Sequence, residues 1–178
     1  MNFTEFWQIL VDSPRLHFLF ICPGNICRSP YAEMKFEQII TPHLPEIQKE
    51  ITIASGGYID QQFPIHPLTK RALLEEGIPE DRIDRFHART MRKHKYELEN
   101  ASVIITMDRS TRDVLIAGKF KPKAITLAEI ALDGIEIDIE DPARLTDYEE
   151  YLKIMTQIKG YLELILKKWR NLLNPPIQ

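Results

Sequence analysis

The chain carries only two cysteines in 178 residues, five positions apart, so no disulfide framework can be built from it. Such sparing use suits a reducing compartment, and the expected location is the cytoplasm. No apolar run approaches the length needed to span a membrane, and no membrane partner is expected. The N-terminus carries Glu5 and Asp12 and lacks a basic region ahead of an apolar segment, so it does not read as a signal peptide. There is no cationic surplus: 23 Lys and Arg stand against 26 Asp and Glu, spread along the chain without interleaved aromatics, which excludes a typical nucleic-acid face. The five His form no metal-ligand pattern, and Asp133 and Asp138 lack the Gly-centred spacing of a calcium loop. Neither a metal nor a cofactor is expected. Internal repeats and low-complexity segments are absent, and the length suits one domain with a proper core.

What the chain does have is one dense stretch, Cys22-Pro23-Gly24-Asn25-Ile26-Cys27-Arg28-Ser29-Pro30. Before it, Leu16 to Ile21 form a short apolar run suited to a strand buried on both faces. After it, Ser29 reads as an N-cap and Pro30 as a first helical residue, with Ala32, Phe36, Ile39 and Ile40 at helical spacing beyond. A strand–loop–helix crossing of this kind suits an anion. The amides of a tight loop and of a helix start converge on it, and the helix dipole favours negative charge there. Arg28 offers a fork to two oxygens, and the same field favours the thiolate form of Cys22. A thiol at one end of the cradle and Arg at the other, six residues on, meets the needs of in-line attack on a phosphate monoester. Chance alone places Cys, Arg and Ser or Thr at this spacing in about one chain in a hundred, so coincidence is a poor account.

This loop, from Phe20 to Pro30, resembles the active-site loop of the low-molecular-weight protein tyrosine phosphatases. The resemblance covers roughly Leu16 to Leu166. It implies cysteine-dependent hydrolysis of phosphomonoesters through a phosphocysteine, with phosphorylated protein or a small phosphomonoester as partner. Cys22 would be the nucleophile, and residues 23–28 with Arg28 would bind phosphate. Ser29 would stabilise the thiolate, and Ser55 would hydrogen-bond Asn25 to hold the loop in shape. Ile26 agrees with tyrosine-directed members, whereas members acting on phosphoarginine tend to have Thr there. Cys27 either forms a reversible disulfide with Cys22 or fills space beneath the loop.

The leaving oxygen needs a proton, and Asp141, in Glu140-Asp141-Pro142 before the last helix, is the best candidate acid, with Glu140 as fallback. The family has an Asp-Pro here, and its Asp is the general acid. Two departures stand out. Ala143-Arg144 follow where the family commonly has aromatics lining the substrate ring, and the turn after Ser55-Gly56-Gly57 is short, leaving Tyr58 or Phe63 as the candidate second wall. Arg144 could instead favour an acidic peptide or a more polar phosphomonoester. Rival readings are a phospholigand-binding protein with little turnover and an arsenate reductase. The second is disfavoured because no Cys follows Cys27 to relay oxidation.

Strands at 51–54, 102–107 and 124–127 alternate with helices at 67–76, after Ser110 to Ala117, and from Thr146, where Glu149 would complete a capping box; Met107-Asp108-Arg109 at the end of the third strand is similar to the family's Met-Asp-Arg there. The pattern predicts an α/β fold of three layers, a four-stranded parallel sheet with helices on both faces, and a ligand at the carboxyl ends of the strands. Residues 1–14 read as an N-terminal helical extension, 15–172 as the single α/β domain and 173–178 as a tail. The extension pairs Asn2 with Glu5 in a capping box and places Phe3, Phe6, Trp7 and Leu10 on one face. That face either packs back on the domain or, through residues 3–10, docks a partner or a second copy.

Overall fold

The computed structural model describes residues 1–59 and 63–174. Strands β1 (Arg15–Ile21), β2 (Glu50–Gly56), β3 (Val103–Thr106) and β4 (Ala124–Thr126) form one parallel sheet in the order β2-β1-β3-β4. The predicted four-stranded α/β architecture is therefore present. Side chains along β1 alternate between two cores. Leu16, Phe18 and Phe20 enter the larger one, and Leu19 and Ile21 the smaller one. Cys22 continues the even series into the larger core.

Helix α1 spans Phe3–Asp12, α2 Arg28–Ile40, α3 Leu44–Ile47, α4 Pro67–Glu75, α5 Glu80–Asp84, α6 Lys95–Asn100, α7 Leu127–Ala131 and α8 Tyr148–Leu173. Helices α2 and α8 pack together over the large-core face of β1. There Phe18 meets Phe36 edge-on with ring centroids 5.3 Å apart and Trp169 at 5.9 Å, an arrangement favoured by the ring quadrupoles. Helix α6 and the turn at Gly118–Lys123 cover the opposite face through Leu98 and Phe120. The apolar face of α1 is used internally: Phe6 and Leu10 are fully buried, and α1 packs on α7 and α8. The Asn2–Glu5 capping box forms. Residues 3–10 thus spend their apolar stripe on their own chain.

Several local expectations need correction. Helix α2 starts at Arg28 with Cys27 in the cap position, so Ser29 is inside the helix and Pro30 is its third residue. The Ser29 hydroxyl is drawn instead to Cys22 and Asn25, described below. Asp147, not Thr146, caps α8 by accepting from Glu150 N at 2.9 Å, because a carboxylate one residue on is the stronger cap. After Asp108 the expected helix is a single wide turn at Thr111–Leu115. Thr126 ends β4 and caps α7, which sequence periodicity did not separate from the strand. Leu173, assigned to the tail, closes α8 with Asn174 as cap, and the remaining tail positions lie outside the described residues. No helix among the described residues is long and apolar enough to cross a membrane.

Strand β1 has β2 on one side and β3 on the other, which makes its carboxyl end the topological switch point of the sheet. The register sets Ile21 opposite Gly56 on β2 and Thr106 on β3. The loop after Ile21 is therefore flanked by Gly57 on one side and Met107-Asp108 on the other.

Candidate active site

Cys22 leaves β1 almost wholly buried, with Sγ 3.0 Å from the Ser29 Oγ. Asn25 adopts φ 54°, a left-handed conformation that Asn tolerates better than most residues, and this turns the loop back on itself. Its side chain supports the turn from inside. Asn25 Nδ2 donates to Ser29 Oγ at 3.0 Å and to Ser55 Oγ at 2.8 Å, while Arg89 N donates to Asn25 Oδ1 at 2.8 Å. Because the Ser29 oxygen already accepts from Asn25, its hydroxyl proton is free to donate. Cys22 Sγ is nearer than the alternative acceptor, Gly56 O, at 3.4 Å. Ser55 passes the same polarity outward by donating to the buried Glu33 carboxylate at 2.5 Å, which Arg82 and Arg89 hold at 2.7 and 3.3 Å. A buried carboxylate needs such partners. Asn25 and Ser55 thus make the hydrogen bond that the resemblance implies, while Glu33, Arg82 and Arg89 were not anticipated.

The backbone closes round the loop as well. Tyr58 N and Ile59 N both donate to Pro23 O, at 2.8 and 3.0 Å, and His66 N donates to Ile26 O at 2.9 Å. Gly57 lies so close that a Cβ there would stand 2.7 Å from Pro23 O and 2.9 Å from Asn25 N. Against this support, the N–H groups of Gly24 through Cys27 donate to no backbone carbonyl among the described residues. They remain available at the start of α2, where the helix dipole adds to their field.

Arg28 is 3 % exposed. Its Nη1 donates to Asp108 Oδ2 at 3.1 Å and to Ile139 O at 2.8 Å, and its Nη2 lies 3.2 Å from Asp141 Oδ1. Its Nε is buried with no hydrogen-bond partner among the described residues. Asp108 also accepts from Thr111 N at 2.6 Å, so it is fixed before it fixes Arg28. The loop bearing Asp141 is fastened in turn. Arg109 grips Asp138 with a forked pair, Arg112 takes Glu129 and Glu136, and Ile139 N donates to Met107 O at 3.0 Å. Asp141 itself is 55 % exposed and caps a short turn at Pro142–Arg144 through Ala143 N at 3.3 Å. Glu140, the fallback acid, is exposed and makes no ion pair among the described residues. The structure thus brings Cys22, Arg28, Ser29 and Asp141 to one end of the sheet.

Cys27 points away, into the large core beside Tyr151. Burial pushes its thiol up to about 11, with a hydrogen bond from Tyr151 opposing the shift. Tyr151 OH also meets Thr69 Oγ1 at 2.5 Å, and its ring stacks on His66. Neither cysteine is in a disulfide. Of the two candidate aromatic walls, Tyr58 packs against the smaller core with its hydroxyl buried, and burial raises its pKa. Phe63 is exposed, beside Pro64, His87 and Arg89. No group of three or more His, Cys, Asp or Glu among the described residues could hold a metal ion.

A family model described as low molecular weight phosphotyrosine protein phosphatase matches residues 17–172. The chain belongs to this family. Among curated members, the low molecular weight protein-tyrosine-phosphatase PtpA of Staphylococcus saprophyticus is 29 % identical over 153 residues, covering 83 % of this chain and 92 % of that one. The protein-arginine-phosphatase of Bacillus subtilis is 23 % identical over 155 residues, covering 86 % and 93 %. The crystal structure of YfkJ from Bacillus subtilis superimposes with a TM-score of 0.71 at 28 % identity, covering 88 % of this chain and 96 % of that one. Asp108 and the Ile139 carbonyl, like Glu33, Arg82 and Arg89, are parts of the candidate site that sequence reasoning left unassigned. The Met107-Asp108-Arg109 motif was a visible signal for Asp108, whereas nothing local marks a backbone carbonyl 111 residues from Arg28.

Proposed function

We propose that the protein hydrolyses phosphomonoesters, with phosphotyrosine in proteins as its substrate class, through a phosphocysteine. The single observation that carries this reading is the state of Arg28: buried, paired with Asp141 through Nη2, and with no partner for Nε among the described residues, in the same loop that pairs Cys22 with Ser29. A planar guanidinium so held can offer Nε and Nη2 to two phosphate oxygens, while the loop amides take the others.

In the first step the Cys22 thiolate, receiving a hydrogen bond from Ser29, attacks phosphorus in line. An S–P bond forms as the bond to the leaving oxygen breaks, and protonated Asp141 gives that oxygen its proton. In the second step the Asp141 carboxylate takes a proton from water, whose oxygen attacks phosphorus. The S–P bond breaks, releasing inorganic phosphate and the thiolate. Charge that develops on the equatorial oxygens is met by fixed donors that need no reorganisation. Two buried, unpaired thiols suit a reducing compartment, and the cytoplasm is the location this reading assigns.

The test is turnover of an aryl phosphate by the wild type and by Cys22→Ser, followed by a panel of phosphotyrosine, phosphoserine and phosphoarginine peptides. Activity that survives in Cys22→Ser would sink the nucleophile. Preference for the phosphoarginine peptide would overturn the substrate class.

A further inference from the structure

Arg144 stands three residues beyond Asp141 in the turn that Asp141 caps. Leu145 N closes this turn on Pro142 O at 2.9 Å. Arg144 is the last residue of that turn, three residues from the carboxylate that meets Arg28. Buried Pro142 and half-buried Leu145 hold the turn from both sides. Arg144 is exposed, and among the described residues it makes no ion pair. Every other arginine there is paired with a carboxylate except Arg92. Acids close by in sequence do not claim it. Asp141 is with Arg28, Asp147 caps α8, and Glu140 makes no pair with it.

An always-charged fork left free one turn from the proton donor is placed for a second anion, since Arg28 serves the phosphate. We propose that Arg144 is a specificity-determining residue that pairs with a carboxylate of the residue next to the phosphorylated one in a peptide substrate. This rests on the phosphomonoester reading above.

The test measures binding of two phosphotyrosine peptides, one with Glu flanks and one with Gln flanks, to the Cys22→Ser protein by fluorescence titration. The Glu peptide is expected to bind about threefold more tightly, the scale of an exposed ion pair. The ratio should invert on adding Arg144→Glu, fall toward one at high salt, and persist with Arg92→Glu. A ratio that Arg144→Glu leaves unchanged, an equal response to Arg92→Glu, or no binding of either peptide would overturn the proposal. Aryl phosphate turnover by the wild type is read separately. Its absence defeats the hydrolase reading, while the peptide ratio still decides the role of Arg144.

Discussion

Replacing Gly57 with Ala places a methyl group against the backbone of the phosphate loop. The new Cβ would stand 2.7 Å from Pro23 O, about 0.7 Å short of ordinary contact, with Asn25 N at 2.9 Å and Gly24 C at 3.0 Å. None of these is the end of a flexible side chain. The backbone at Gly57 is not in the left-handed region, so the requirement is for space alone. Nor can the strand side retreat easily. Gly57 N donates to Arg89 O and Gly57 O accepts from Met91 N, both at 2.8 Å. The loop must therefore give. Overpacking of this kind costs about 1–3 kcal/mol of stability. A shift approaching 1 Å in a reacting group costs up to about a hundredfold in rate. The expected outcome is kcat lowered by about ten- to a hundredfold on an aryl phosphate, with the urea midpoint also lowered. Gly160→Ala is the control. It lies within α8 with nothing within 4 Å of the new Cβ, and it should stabilise by about 0.8–1 kcal/mol through helix propensity. If Gly57→Ala kept kcat within twofold and its midpoint unchanged, the loop would not depend on this close approach.

Asp141→Ala should lower kcat/KM, which reads the transfer to Cys22 alone, by about 10²–10⁴-fold on an alkyl or phenyl phosphate and much less on a nitrophenyl ester, whose leaving group needs no proton; equal losses in kcat/KM on both would place the acid elsewhere. Ser55→Ala removes the link between Asn25 and Glu33, so the urea midpoint should fall by the equivalent of about 1–3 kcal/mol, together with kcat. An unaltered midpoint and rate would show that the buried network is dispensable. Cys27, pushed up to about 11 by burial, should resist iodoacetamide at neutral pH in the folded protein, as intact-mass spectrometry can read; labelling of Cys27 before unfolding would contradict the placement of its thiol in the core.

Much of the site was legible because it is local. Cys22, Arg28 and Ser29 lie within one strand–loop–helix unit, where spacing alone makes an anion cradle. Asp141 was legible less directly, from its Asp-Pro dipeptide and its place before the last helix. The Ser29 expectation shows where local reading fails. Ser before Pro and an apolar helix is a sound cap signal, yet the hydroxyl has better partners in Cys22 and Asn25, and the helix starts one residue earlier. Thr146 and Asp147 show a smaller failure of the same kind, since both can cap and the carboxylate one residue on took the position.

By itself the sequence determined the alternation of strands and helices, the parallel class of the sheet, the apolar stripe of α1, and the chemistry available at the end of β1. Periodicity and short-range spacing carry those facts, because each rests on residues within a few turns of one another. The tertiary structure alone decided where the stripe of α1 is spent, that Tyr58 turns into the smaller core, and what Arg28 leans on. Asp108 and Ile139 reach Arg28 across 80 and 111 residues. Only the strand order β2-β1-β3-β4 and its register bring them to one edge, and no local pattern encodes which strands become neighbours.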